Sequence, residues 1–180
     1  MQLAMIGLGR MGANIVRRLM RDGHDCVVYD VNPEAVAALV AEGATGADSI
    51  ADLAAKLSPQ RVVWMMVPAS LTGAVADEVA AVLEPGDILI DGGNSNYRDD
   101  VRRAGVMREK GIEYVDIGTS GGVFGLERGY CLMVGGSDAA FAHIEPVLRT
   151  IAPGVGEIDR TPGREQWPVT EASASSNRMR

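Results

Sequence analysis

The sequence predicts an α/β domain: a doubly wound, mainly parallel sheet with helices on both faces. Short uncharged apolar runs alternate without a break with stretches of 3.6-residue helical period, from Gln2 to the end of the chain's apolar pattern near Thr150. Most of those runs are apolar almost throughout instead of alternating, as expected of strands covered on both sides. Glycine-rich segments follow several of them, at Gly7, Gly92 and Gly118.

The first run, Gln2–Ile6, carries no charge and is bounded by glycine, so it reads as a buried strand. Gly7-Leu8-Gly9-Arg10-Met11-Gly12 follows with G-x-G-x-x-G spacing. Ala13, Ile15, Val16, Leu19 and Met20, set between Arg17, Arg18 and Arg21, then have the period of an amphipathic helix that Gly23 closes. In that order of strand, turn and helix each glycine has a task. Gly7 makes the tight turn, Gly9 lets backbone N–H groups approach a pyrophosphate, and Gly12 lets the helix pack closely on the strand. A second apolar run, Cys26–Tyr29, ends in Asp30, where a carboxylate can accept hydrogen bonds from both ribose hydroxyls of an adenosine.

Asn32 is suited to cap the next helix, with Pro33 at its first position, Val36, Leu39 and Val40 as its apolar stripe and Gly43 as its stop. Asp48 or Ser49 caps a third helix bearing Ile50, Leu53, Ala54 and Leu57, which Ser58-Pro59 ends. Arg61–Val67 reads as a central strand that terminates at Pro68, which cannot donate to a ladder. Leu71–Leu83 is helical by its spacing, Pro85-Gly86 is a turn, and Ile88–Ile90 is a short buried strand leading into Asp91-Gly-Gly-Asn94-Ser95. A helix from Tyr97 to Lys110, a strand Tyr114–Ile117, a loop Gly118–Gly122, a strand Tyr130–Val134 and a helix Asp138–Thr150 complete the pattern, which is of Rossmann type. Right-handed crossovers put every strand-to-helix loop on one edge, so the loops at Gly7, Val67, Asp91 and Gly118 are expected to meet in one crevice.

Composition narrows the function. A chain of 180 residues with 47% hydrophobic content has room for one full core. Its net charge of −7 and scattered Arg and Lys disfavour a nucleic-acid or anionic-membrane surface. No apolar run approaches the roughly 20 residues that span a bilayer. Met1 leads straight into the first strand, so no signal peptide is expected. Cys26 and Cys131 each lie in an apolar run with no C-x-x-C spacing or neighbouring His. Both are expected in the core, unpaired and without metal, in a reducing cytoplasm.

Four stretches also carry a resemblance: Gly7–Asn14, Met66-Val67-Pro68-Ala69, Ile90–Ser95 and Gly118–Met133. Together they resemble the cofactor domain of decarboxylating 6-phosphogluconate dehydrogenase in its shorter, NAD-type form, over residues 1–164. Related 3-hydroxyacid dehydrogenases share the first loop and a Ser-Gly-Gly loop but carry an Asp-x-Ser-Thr type stretch where this chain has Asp91–Ser95. The resemblance implies that the amides of Leu8, Gly9, Arg10, Met11 and Gly12 hold the cofactor pyrophosphate and that Val67, Pro68 and Ala69 line the path from adenosine to nicotinamide. It implies that Asn94 touches both the nicotinamide ribose and the sugar acid, and that Ser120, Gly121 and Gly122 bind the substrate. Consecutive amides and a hydroxyl suit an anionic carboxylate. NAD is expected in preference to NADP, because NADP-type members have an Asn-Arg-Thr stretch where this chain has Asp30-Val31-Asn32.

The family reaction transfers a hydride from C3 of 6-phosphogluconate and then releases CO2 to give ribulose 5-phosphate in the pentose phosphate pathway. It needs a proton acceptor and a proton donor, which the family supplies as a lysine and a glutamate beyond the cofactor domain. This chain holds only Lys56 and Lys110, both expected on helices facing away from the crevice, and His24 and His143 are no better placed. No catalytic residue is therefore expected in it. Residues 165–180 show neither helical nor strand period and are expected to be a disordered or aberrant tail, the result of a truncation or a frame change near Glu165. The family's dimer contacts lie mostly in the segment it lacks, so the resemblance leaves oligomerisation an option. The sequence thus presents an oxidoreductase by family, with a non-catalytic NAD-binding module or a 3-hydroxyacid dehydrogenase relative as alternatives.

Overall fold

The computed structural model describes residues 1–154. The boundary expected at residue 164 and the tail at 165–180 lie outside the described residues. Seven strands, β1 (Gln2–Ile6), β2 (Asp25–Tyr29), β3 (Thr45–Gly46), β4 (Val62–Met65), β5 (Ile88–Asp91), β6 (Glu113–Ser120) and β7 (Cys131–Gly135), form one sheet in the order β3-β2-β1-β4-β5-β6-β7. Every neighbouring pair is parallel except β6 and β7, which run antiparallel. This is the Rossmann-like α/β fold that the alternating pattern predicts.

Among the described residues seven helices accompany the sheet: α1 (Arg10–Arg21), α2 (Pro33–Ala41), α3 (Ile50–Ala55), α4 (Ala69–Ala80), α5 (Tyr97–Glu109), α6 (Gly125–Arg128) and α7 (Asp138–Ile151). The period-2 alternation of each strand sends its side chains into two separate cores. Leu3 and Met5 of β1 join Ile15, Leu19, Leu39 and Ile144 under α1, α2 and α7, whereas Ala4 and Ile6 join Leu53, Val79 and Met107 under α3, α4 and α5. The helix starts use the expected chemistry: the Asn32, Ser49, Asn96 and Ser137 side chains accept from the N–H groups of Glu34, Asp52, Arg98 and Ala140.

Three expectations are corrected. Val40 is exposed, because α2 lies over the margin of the sheet, where β3 is two residues long and offers only Gly46 for Val40 to rest against. Cys131 is also exposed, since β7 is an edge strand and no helix among the described residues lies over its face bearing Cys131 and Met133; Cys26 is buried as expected. Gly118, Thr119 and Ser120 belong to β6 and not to a loop, because the antiparallel pairing runs on to Ser120 opposite Cys131. A 3-10 turn at Gly122–Phe124 and the short α6 follow, neither of them foreseen.

The entry to α1 depends on contact at backbone distance. Gly7 has φ +91, and a Cβ built on Gly12 would lie 2.0 Å from the Gly7 carbonyl oxygen. Gly12→Ala is therefore expected to push α1 away from β1 and destabilise the fold by about 1–3 kcal/mol, as overpacking of a tight contact does, measurable as a lower urea midpoint.

Candidate functional site

The loops after β1, β2, β4 and β5 and the last residues of β6 enclose a crevice of about 840 Å³ at the carboxyl edge of the sheet. That is the size of a small-molecule site, and it opens where the strand order reverses direction, between β1 and β4. Its floor and walls include Gly7, Gly9, Arg10, Met11, Gly12, Asp30, Val67, Pro68, Asn94 and Ser120, which the sequence singled out. Ile50, Leu71 and Val75 add an apolar wall, Val31 and Glu78 stand beside it, and Thr119 and Met133 line it next to Ser120; none of these was foreseen.

Four expected residues stand elsewhere. The Leu8 side chain is buried, and its N–H donates to Asp30 Oδ2 at 2.6 Å, so that amide is already engaged. Ala69 is the exposed first residue of α4, behind Pro68. Gly121 and Gly122 start the turn beyond Ser120, with Gly121 close against the Tyr130 ring. Asp30 holds the glycine turn to the end of β2, its second oxygen accepting from Asn32 N–H at 2.8 Å.

Among the described residues no lysine or histidine lines the crevice. Lys56 sits at the C-cap of α3, where its Nζ donates to Gly46 O and Asp52, and Lys110 caps the end of α5. His24 precedes β2 with Nε2 2.9 Å from Thr150 Oγ1, and burial lowers its pKa; His143 lies on α7.

Beneath the Asn94 loop lies a buried network with no counterpart among the expectations. Asp91, wholly buried at the end of β5, accepts from Gly93 N–H at 2.9 Å, Ser95 Oγ at 2.8 Å and Tyr114 OH at 3.2 Å. Asp100 on α5 lies 3.2 Å from the same Tyr114 hydroxyl and accepts from Arg103 at 3.0 Å; the Arg103 guanidinium is 3.7 Å from Asp91. Two acids, Asp91 and Asp100, thus share one arginine. Burial first, then Asp91 and Asp116, push the Asp100 carboxyl up to about 6, and burial with Asp91 raises Asp116 as well. Burial opposes the charge of Arg103, but Tyr114, Asp100 and Asp91 outweigh it and hold the guanidinium above its ordinary range. One signal of this was readable: Asp100 and Arg103, three apart, share a helix face with the buried Met107.

Residues 2–159 match the family model described as the NAD binding domain of 6-phosphogluconate dehydrogenase. The chain belongs to this family. It is 44% identical over 155 residues to the NAD(+)-dependent, decarboxylating 6-phosphogluconate dehydrogenase of Haloferax volcanii, covering 86% of this chain and 51% of that one. The fold is similar to the Plasmodium falciparum 6-phosphogluconate dehydrogenase, solved in apo form, with its cofactor NADP+ and with its substrate 6-phosphogluconate. The TM-score there is 0.81 at 28% identity, covering 87% of this chain and 35% of that one. It is also similar to the 3-hydroxyisobutyrate dehydrogenase of Mycobacterium tuberculosis, with TM-score 0.78 and 27% identity over 84% of this chain and 52% of that one. The chain spans about half the length, or less, of the relatives it matches. The family is one of oxidoreductases with an NAD(P)-binding Rossmann domain, and no helix among the described residues is long and apolar enough to cross a membrane.

The Asp100 titration has a measurable sign. Its folded pKa of about 6 lies above the ordinary 3.8, so the folded state binds the extra proton between these values and the contribution of Asp100 to stability falls as pH rises from about 4 to 6. Asp100→Asn is expected to remove this loss and to stabilise the protein at pH 8 by on the order of 1 kcal/mol, one pKa unit corresponding to about 1.4 kcal/mol. Thermal unfolding at pH 5 and pH 8 checks both effects.

Proposed function

We propose that this chain is the cofactor half of an NAD-linked, decarboxylating 6-phosphogluconate dehydrogenase, with the dinucleotide in the crevice and the sugar acid beside Asn94 and Ser120. The observation that carries the reading is the N-terminus of α1. Its first turn has no acidic residue and no side-chain cap, it opens into the crevice, and nothing lies within 4 Å of the position a Gly9 Cβ would take. Unpaired N–H groups at a helix N-terminus with open space before them suit a pyrophosphate. The residues present therefore fit the group.

Gly9, Arg10, Met11 and Gly12 would hold the pyrophosphate, and Asp30 the adenosine ribose, its oxygens keeping lone pairs beyond those given to Leu8 and Asn32. Ile50, Leu71 and Val75 offer an apolar wall for a base, and Val67 and Pro68 line the way toward Asn94. The nicotinamide, when bound, accepts the hydride. Ser120 supplies a hydroxyl for the carboxylate of the sugar acid, with Gly121 and Gly122 continuing the same segment. The Asp91–Ser95 stretch favours this reading over a 3-hydroxyacid substrate.

The cofactor choice follows from charge. A 2′-phosphate about 4 Å from the Asp30 carboxylate would meet a repulsion on the order of 4 kcal/mol per charge pair at an effective dielectric near 20. Calorimetric titration is expected to give tighter binding of NAD than of NADP, and Asp30→Asn to narrow the difference; equal binding of both cofactors by the parent chain would refute the preference.

Turnover is a separate matter. No lysine, the residue type the family uses as its base, lines the crevice among the described residues, and general-base catalysis is typically worth about 10² to 10⁴ in rate. The 180-residue chain is expected to bind NAD yet to oxidise 6-phosphogluconate at least about 100-fold more slowly than a full-length relative, read as NADH absorbance under matched conditions. A rate within a few-fold of that relative would overturn this.

A further inference from the structure

Asn94 stands between two residues that are both tied to one buried carboxylate. Asp91 takes the Gly93 N–H on Oδ1 at 2.9 Å and the Ser95 hydroxyl on Oδ2 at 2.8 Å. The residue before them is fixed as well: Gly92 N–H donates to Met65 O, and a Cβ on Gly92 would fall 2.0 Å from Trp64 Nε1, so the backbone rests on the buried indole. The side chain of Asn94, by contrast, is exposed, lines the crevice, and makes no hydrogen bond among the described residues. A loop whose neighbours are held on both sides of one free amide presents that amide in a set direction.

We propose that Asp91 is a positioning residue, its grip on Gly93 and Ser95 setting the angle at which Asn94 meets the ligand in the crevice. The inference rests on the reading of the crevice as a dinucleotide site. Asp91 is suited to the task because a carboxylate only accepts hydrogen bonds, so every donor around it is held in a fixed sense. It is wholly buried at the end of a central strand, and Tyr114 OH and the Arg103 guanidinium fix its own orientation from β6 and α5. Ser95 is the link most open to test, because it is only half-buried and its removal, which also takes away a longer 3.3 Å contact with the Thr72 hydroxyl, leaves the Arg103–Asp100 pair intact.

A double-mutant cycle separates positioning from mere stabilisation of the loop. NAD dissociation constants and unfolding midpoints are measured for the full chain and for Ser95→Ala, Asn94→Ala and the double variant. Loss of one well-placed hydrogen bond is expected to weaken NAD binding about three- to ten-fold in Ser95→Ala. In the Asn94→Ala background the same change is expected to leave NAD affinity within about two-fold, because the group being aimed has gone, while its effect on the unfolding midpoint is the same in both backgrounds. Asp91→Asn, which keeps an acceptor for Gly93, is expected to repeat the pattern; if it does not fold, the Ser95 cycle decides alone. Additive effects on affinity, or a silent Ser95→Ala or Asn94→Ala, overturn the positioning role while the dinucleotide reading stands. Failure of the parent chain to bind NAD overturns both.

Discussion

Everything about this site depends on a sheet that must be covered on both faces. Strands β1, β4 and β5 have no solvent side, so each connection has to cross over a face and return, and the right-handed sense of those crossings delivers all the loops to one edge. From β1 the chain builds outward through β2 to β3, and from β4 outward the other way, so the loops diverge where these two strands meet. The crevice is the gap left by that divergence. Its depth depends on Gly7 and Gly12, which let α1 start at backbone distance from β1; a side chain there would fill the gap or lift the helix.

The same constraint explains why the buried charges stand where they do. Within the central strands β1 and β4 a carboxylate would meet only hydrocarbon, whereas at the final residue of β5 the loop, β6 and α5 supply N–H, hydroxyl and guanidinium partners within reach. Asp91 can therefore be wholly buried and still fully partnered. The cost falls on Asp100, whose carboxyl is pushed up to about 6 by burial first and then by the charges of Asp91 and Asp116. Taking one carboxylate out of this set affects both the loop above it and the helix beside it.

Legibility from sequence followed the range of the interactions. The strand, glycine turn and helix at Gln2–Arg21 and the caps at Asn32 and Ser49 are written in residues a few positions apart, and all are seen in the structure. The two-residue β3 and the four-residue α6 have too few positions to show a period. Val40 and Cys131 are apolar residues at the margins of the sheet, where an apolar pattern persists although no second layer covers it. The Asp91–Asp100–Arg103–Tyr114 network joins two strands and a helix, so it exists only once β5 and β6 pair. The engagement of the Leu8 amide by Asp30 is hidden for the same reason, because β1 and β2 must first lie side by side.

The edge position of β7 leaves the two thiols of the chain chemically unlike. Cys26 is buried, and that burial pushes its thiol up to about 12, so it carries almost no thiolate at neutral pH and will be slow toward an alkylating reagent. Cys131 is exposed and lies directly across the β6–β7 ladder from Ser120. A maleimide-linked fluorophore or spin label would therefore attach selectively beside Ser120 at the crevice without any engineered cysteine. The native sequence thus already contains a spectroscopic handle at the edge of the crevice.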